Sequence, residues 1–60
     1  MKYVIRSIKY NTYYKSKILK DMFHFVTDIN EAKLFNKPNA VKLLKTFKRP
    51  DNYELIKQNI

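Results

Sequence analysis

Two stretches near the start of the chain have apolar residues interspersed with polar ones. Residues 2–9 read KYVIRSIK and residues 13–19 read YYKSKIL, so both contain β-branched and aromatic side chains. This composition is typical of β-strands. Residues 10–12 contain an Asn, a residue type that tolerates turn conformations, and the pattern therefore predicts a β-hairpin.

The alternation in the first strand leaves open which face of the sheet is buried. Successive side chains of a strand point to opposite faces, so Val4 and Ile8 share one face. Tyr3 and Ile5 share the other face, which also carries large side chains. Both faces are therefore candidates for the side that packs on the core.

The middle of the chain predicts a short strand and then a helix start. Residues 20–21 break the second strand, and residues 23–26, FHFV, predict a third strand or a continuation of the hairpin. Asp28 followed by Glu31 is a capping-box arrangement, in which each side chain satisfies a free backbone N–H at a helix start. We expect one helical turn here and an extended link at residues 34–35.

The main helix is predicted to follow Asn36. The Asn36 side chain can cap it, and Pro38 is tolerated because a first-turn N–H needs no intrahelical partner. Residues 39–48 carry apolar side chains at helical spacing, namely Ala40, Leu43, Leu44 and Phe47. Arg49 precedes Pro50 and is therefore disfavoured in the helical region, so the helix should end there.

Residues 53–57, YELIK, predict a last strand. The predicted order of elements is β-β-(β)-α-α-β. We therefore expect one α+β domain over residues 1–60. It is a small two-layer fold, in which an antiparallel sheet carries one main helix on one face.

This combination resembles small uncharacterised proteins of Gram-positive bacteria and their phages. The resemblance spans nearly the whole chain, in YVIR, the Tyr-rich hairpin, TDINEAKLF, the Asn-capped basic helix and the final YELI. It implies the same order of elements and a phage or mobile-element origin, and it implies no activity. Short phage proteins of this size are often binders that redirect or block a host machine, CRISPR effectors and other defence complexes included.

The composition of the chain limits how the domain can be stabilised and where it is expected in the cell. The chain has 60 residues and neither Cys nor Gly, so no disulfide or thiolate metal site can support its small core. No segment has the pattern of a signal peptide or the roughly 18 apolar residues of a membrane span. We expect a protein of the bacterial cytoplasm. A membrane partner is not expected, because no amphipathic helix carries bulky apolar residues.

The chain offers no pattern of catalytic residues. His24 is the only His and stands between two Phe, which is typical of a partly buried strand residue. Asp28 and Glu31 are assigned to capping, and the absence of Gly excludes the Gly-dependent phosphate loops. We therefore expect no enzyme activity, no metal and no cofactor.

The formal net charge of +8 favours an anionic partner. Lys42, Lys45 and Arg49 follow i, i+3, i+7 spacing on the predicted helix, opposite its apolar face. Like charges at this spacing repel each other by a few tenths of a kcal/mol, roughly, which favours a contact that neutralises them. A solvated helix face, in a chain whose many Lys residues reflect A/T-rich codons, is the alternative explanation.

A second candidate patch lies on the hairpin, in IKYNTYYKSK, and consists of Arg6, Tyr13 and Lys15. Aromatic rings beside cations can stack the bases of single-stranded nucleic acid. The alternative is that the tyrosines form the core. Tyr13 and Tyr14 are adjacent, so one of them should point inward and the other outward.

Three interpretations of function follow. The first is a non-enzymatic basic protein that binds a host protein or nucleoprotein complex, such as a nucleic-acid-handling or CRISPR-type defence complex, and inhibits or redirects it. The second is a protein that binds DNA or RNA on its own, through the hairpin and the basic helix. The third is a homodimer that pairs uncovered sheet edges. We prefer the first, because the hairpin lacks the aromatic motif and the Gly of ribonucleoprotein-type sheets.

Overall fold

The structure is a computed structural model that describes residues 1–20 and 22–59. Within that part of the chain, the sheet consists of β1 (Lys2–Ser7), β2 (Thr12–Leu19), β3 (Met22–Val26) and β4 (Tyr53–Gln58). The strands lie in the order β3-β2-β1-β4, and each neighbouring pair is antiparallel. The α-helix α1 (Lys37–Leu44) packs against β1. The predicted α+β class is therefore confirmed, and the bracketed third strand is present.

The predicted order β-β-(β)-α-α-β is wrong at the first helix. Residues Ile29–Glu31 form a single 3₁₀ turn, in which Asp28 Oδ1 accepts a hydrogen bond from Asn30 N–H at 2.9 Å. The chain then becomes extended, because Lys33 N–H donates to Tyr14 O at 3.0 Å. This pairing with β2 takes the backbone away from a helical path before a second turn forms.

The same link segment separates β2 from β1. The two strands pair directly only close to the turn that connects them. Further along β1, Tyr3 and Phe35 exchange two backbone hydrogen bonds, with N···O distances of 2.8 and 2.9 Å. The predicted extended link is thus confirmed. Over its second half, β2 pairs with β3 alone in the described part of the chain, so the β2–β3 hairpin extends away from β1.

The turn between β1 and β2 depends on Asn11. β1 ends at Ser7, earlier than predicted, and Asn11 N–H donates to Ser7 O at 2.8 Å. Asn11 has a φ of 54°, which lies in the left-handed region that Asn tolerates better than most residues. A chain without Gly therefore uses Asn where the backbone needs a positive φ.

Helix α1 begins as predicted and ends earlier. Asn36 Oδ1 accepts from Asn39 N–H at 3.0 Å, which satisfies one free donor of the first turn. At the other end, Thr46 N–H donates to Leu43 O at 2.9 Å, so the backbone continues after Leu44 as turns with hydrogen bonds between residues three apart. These turns place Phe47 in the core, and the prediction of a helix up to residue 48 is wrong for this reason.

Tyr14 lies at the centre of the core. Its ring packs against Phe23, Phe25, Phe35 and Phe47, with ring centroids 5.7–6.4 Å apart. Aromatic pairs at such distances add to the stabilisation that burial provides. β2, β3, the link segment and the turn after α1 are therefore held together around one tyrosine.

Both faces of β1 are buried. Ile5 packs with Tyr14 and Phe47 in the aromatic core, and its side chain has no exposed surface. Val4 lies on the opposite face and is also fully buried, whereas Ile8 follows the strand and is exposed. The alternation of side chains left open which face of β1 is buried. The structure shows that this central strand buries side chains on both of its faces.

Candidate surface for an anionic partner

Ion pairs neutralise little of the positive charge. Arg6 Nη1 lies 3.5 Å from Glu54 Oε2, and Lys15 Nζ lies 4.0 Å from Glu31 Oε1. The other eleven of the thirteen Lys and Arg side chains have no carboxylate oxygen of the described residues within 4.0 Å. The surface therefore carries an excess of unpaired cations, which attracts anionic partners.

The predicted helix stripe is brought together only in part. Lys42 lies in the last turn of α1, and Lys45 caps the helix with helical backbone angles of φ −66° and ψ −18°. These two residues are therefore neighbours on one side of the helix. Arg49 lies beyond the helix, with φ −130° and ψ 76°, so a stripe of three on one helix is wrong. All three side chains are exposed.

The partial charge at the end of helix α1 explains the positions of two of these three cations. The last carbonyl groups of a helix carry a partial negative charge, and cations beside them are stabilised. Lys42 and Lys45 occupy such positions. Their placement therefore has a structural reason as well as a candidate functional one, whereas Arg49 has left the helix and lacks that reason.

The second candidate patch is brought together only in part, and its cations lie beside carboxylates. Arg6 and Tyr13 are direct cross-strand partners and so lie side by side on one face. Arg6 is in the ion pair with Glu54, and its Nε donates to Asn11 Oδ1 at 2.9 Å. Lys15 lies beside Glu31, which was predicted to complete a capping box with Asp28 at a helix start; only the Asp28 half of that box is observed. Little free charge is left here for a partner.

The tyrosines of the hairpin mostly serve the fold. Tyr14 is 4% exposed, and its burial raises the pKa of its hydroxyl above the ordinary value of 10.0. Tyr3 and Tyr13 are half-buried. Tyr10 is 70% exposed in the turn, and Lys9 Nζ lies 5.2 Å from the centre of its ring. The predicted stacking platform is thus reduced to one fully displayed ring, and the inward–outward split of Tyr13 and Tyr14 is confirmed.

Sequence reasoning does not identify the apolar end of the β2–β3 hairpin. Ile18, Leu19 and Met22 are 57%, 61% and 54% exposed, and they stand beside the exposed Lys17 and Lys20. We call these five residues the hairpin tip. A signal was present, since KILKDMF places apolar residues on both sides of a turn, where polar residues are usual.

His24 lies in β3 but is exposed, so the expectation of partial burial is wrong. Within residues 1–20 and 22–59, no three His, Cys, Asp or Glu side chains are grouped to hold a metal ion, and no helix is long and apolar enough to cross a membrane.

A cleft of about 190 Å³ is lined by Phe23, Thr46, Phe47, Lys48 and Tyr53. It is smaller than the roughly 300–1,000 Å³ of most small-molecule sites.

Comparison with known proteins adds no relative. No family model, no curated protein and no solved structure matches the chain.

Proposed function

We propose that this chain is a non-enzymatic interaction protein, of phage or mobile-element origin, which docks on an acidic surface of a host factor and inhibits or redirects it. The host factor is a nucleic-acid-handling or defence complex, of the CRISPR type for example. The observation that carries the proposal is the set of eleven cations with no carboxylate of the described residues beside them. Such a surface gains most when a partner supplies the missing anions.

The distribution of aromatic residues favours a protein surface over nucleic acid as the partner. Sequence-tolerant binding of single strands depends on exposed rings that stack bases. Here Tyr14 is in the core and Tyr3 and Tyr13 are half-buried. The hairpin therefore offers few exposed rings on which bases could stack.

The residues proposed to contact the acidic surface are Lys42, Lys45 and Arg49. All three are exposed and have no carboxylate of the described residues within 4.0 Å. Lys42 and Lys45 lie at the end of α1, and Arg49 lies beyond it. Arg6, Tyr13 and Lys15 are proposed as a weaker contact, since their two cations would have to leave Glu54 and Glu31.

The test is affinity capture with the tagged chain from a nuclease-treated extract of a Gram-positive host. The proposal expects one host protein to be retained, to form a defined complex with the pure chain, and to lose its activity in that complex. Retention should weaken between about 50 and 200 mM salt, because the contact is electrostatic. A capture that needs intact nucleic acid would contradict the proposal.

Autonomous nucleic-acid binding is the second candidate, and the exposed Tyr10 with Lys9 beside its ring favours it. Anisotropy of labelled single- and double-stranded DNA and RNA, at about 50 and 200 mM salt, tests this candidate. Tight binding that falls by orders of magnitude with salt, and is lost in Lys42→Glu/Lys45→Glu/Arg49→Glu, would put it first. Binding no better than micromolar to every probe would remove it as the main function.

A further inference from the structure

The hairpin tip exposes apolar side chains on a paired backbone. Leu19 lies opposite Met22 in the last register pair of the β2–β3 ladder, and the register shifts between Lys17 and Leu19. Ile18 occupies this irregularity and is exposed like its neighbours. Such irregularities bend and twist a strand locally. The tip is therefore the end of a two-stranded ribbon that projects away from β1 and exposes these side chains to solvent.

Further lysines lie at the same end of the sheet. Since β1 and β2 are antiparallel, β2 finishes at the end where β1 begins. Lys2 and Lys57 lie at this end, where β1 starts and β4 finishes. Lys37 begins α1 two residues after Phe35, which pairs with Tyr3 near the start of β1. All three lysines are exposed.

The described acidic residues lie elsewhere. Glu54 and Asp51 belong to the start of β4 and the 3₁₀ turn Pro50–Asn52 before it, and Asp28 follows β3, so these three lie toward the opposite end of the sheet. Glu31 is occupied by Lys15. Asp21 falls between Lys20 and Met22 in the sequence, outside the described residues. Among the described residues, five lysines and no unpaired carboxylate lie toward the tip end.

We infer that the hairpin tip docks on the surface of an anionic lipid bilayer. Ile18, Leu19 and Met22 enter the boundary between headgroups and acyl chains, while Lys17 and Lys20 contact the lipid phosphates. Apolar insertion and a basic patch are the two signals that together hold a protein at a membrane surface. The sequence-based expectation of no membrane contact considered helices alone, and a hairpin combines the same two signals in another geometry.

Charge decides between the occupants of this surface. A second copy would place equal lysine-rich ends against each other, which is repulsive for a chain of net charge +8. A nucleic-acid backbone would pair with the lysines but would leave most of the exposed apolar surface in water. An anionic bilayer satisfies both parts of the tip. This inference goes beyond the docking function proposed above and does not depend on it.

Vesicle sedimentation with the full chain tests the inference. The probes are vesicles of phosphatidylcholine alone and of phosphatidylcholine with about one third phosphatidylglycerol. We expect the partition coefficient to be about tenfold or more higher on the anionic vesicles at low salt, because anionic lipid attracts the lysines near the surface. The variant Leu19→Ser/Met22→Ser keeps every charge and should lose most of this binding.

Ile8→Ser is the matched control, because Ile8 is exposed but follows β1 at the opposite end of the sheet. Its partition should equal that of the wild type, and circular dichroism should show that both variants fold. Equal binding of Leu19→Ser/Met22→Ser and wild type would overturn insertion, and so would equal binding to neutral and anionic vesicles. Self-association, or binding to duplex DNA, that this tip variant abolishes without any vesicle binding would assign the tip to another occupant and overturn the inference as well.

Discussion

At the scale of single residues, the burial of Tyr14 determines which side chains of the hairpin remain on the surface. Its ring is buried among four phenylalanines, while Tyr13, one position earlier, lies on the opposite face beside Arg6. The alternation of a strand predicts that the two tyrosines point apart. It cannot predict which of them enters the core, because that depends on Phe35 and Phe47, which reach Tyr14 only in the folded chain.

Replacing Tyr14 by Ala should therefore destabilise the fold by about 3–5 kcal/mol, the usual loss for a large buried aromatic residue. Since a domain of this size has roughly 5 kcal/mol or less in total, the variant should be largely unfolded at 25 °C. Urea unfolding followed by circular dichroism measures this. Tyr10→Ala is the control, because Tyr10 is exposed, and it should change the free energy of unfolding by less than about 0.5 kcal/mol. Equal effects at the two positions would contradict the placement of Tyr14.

The raised pKa of Tyr14 predicts a loss of stability at high pH. Burial favours the neutral hydroxyl, so the folded chain keeps this proton at pH values where the unfolded chain has released it. The unfolded state then binds fewer protons, and the free energy of unfolding falls as pH rises above about 10. Tyr14→Phe cannot ionise and should show a smaller decline. Urea midpoints of both proteins between about pH 8 and pH 11 test this, and parallel curves would count against it.

Asn11 is the other residue whose conformation has a measurable consequence. Its positive φ costs most residues about 1–2 kcal/mol, so Asn11→Ala should destabilise the chain by about that amount. Asn11→Gly removes the hydrogen bond from Arg6 Nε but fits the backbone, and it should lose less. Thermal unfolding of the two variants gives the comparison. A glycine variant no more stable than the alanine variant would contradict the argument from the positive φ, because both variants lack the hydrogen bond from Arg6.

At the scale of elements, local signals predict starts better than ends. The Asn36 cap and the position of Pro38 are confirmed, because a cap needs only residues close in sequence. The first helix and the end of α1 are predicted wrongly for the opposite reason. Lys33 pairs with Tyr14 of a distant strand, and Phe47 is drawn into the core, so tertiary contacts override the local pattern at both places.

Removing the cap of α1 should have the usual cost of a lost side-chain acceptor. Asn36→Ala is expected to lower the free energy of unfolding by about 1 kcal/mol, because Asn39 N–H loses its partner at the helix start. Asn30→Ala is the matched control. Its side chain is exposed and makes no side-chain hydrogen bond within the described residues, so the change should be smaller. Denaturant unfolding compares the two, and equal losses would argue against the cap.

At the scale of the whole molecule, the candidate site is predicted only in part. Arg49 lies beyond the helix, whereas exposure of Lys42 and Lys45 follows from the apolar pattern of the helix. The pairing of Arg6 with Glu54 does not, since those residues meet only because β1 and β4 are neighbours in the sheet. The hairpin tip depends on the link segment that separates β2 from β1, which no local pattern shows. Charge alone therefore indicates the kind of partner but not the part of the surface that meets it.

Binding to the host protein should depend on the position of the positive charges, and not only on their number. Lys42→Glu/Lys45→Glu/Arg49→Glu and Lys2→Glu/Lys37→Glu/Lys57→Glu change the net charge equally, and all six side chains are exposed. They differ in which end of the sheet they alter. If the chain docks through the end of α1, the first triple variant should weaken binding to the host protein strongly, and the second should weaken it little.

The most direct test measures the affinity of the captured host protein for the wild-type chain and for these two triple variants, at about 50 and 200 mM salt. The first variant should weaken binding at least about tenfold more than the second, and the higher salt concentration should weaken the wild-type complex. Equal losses in the two variants would contradict this prediction, because the chain would then act through its net charge rather than through a defined surface.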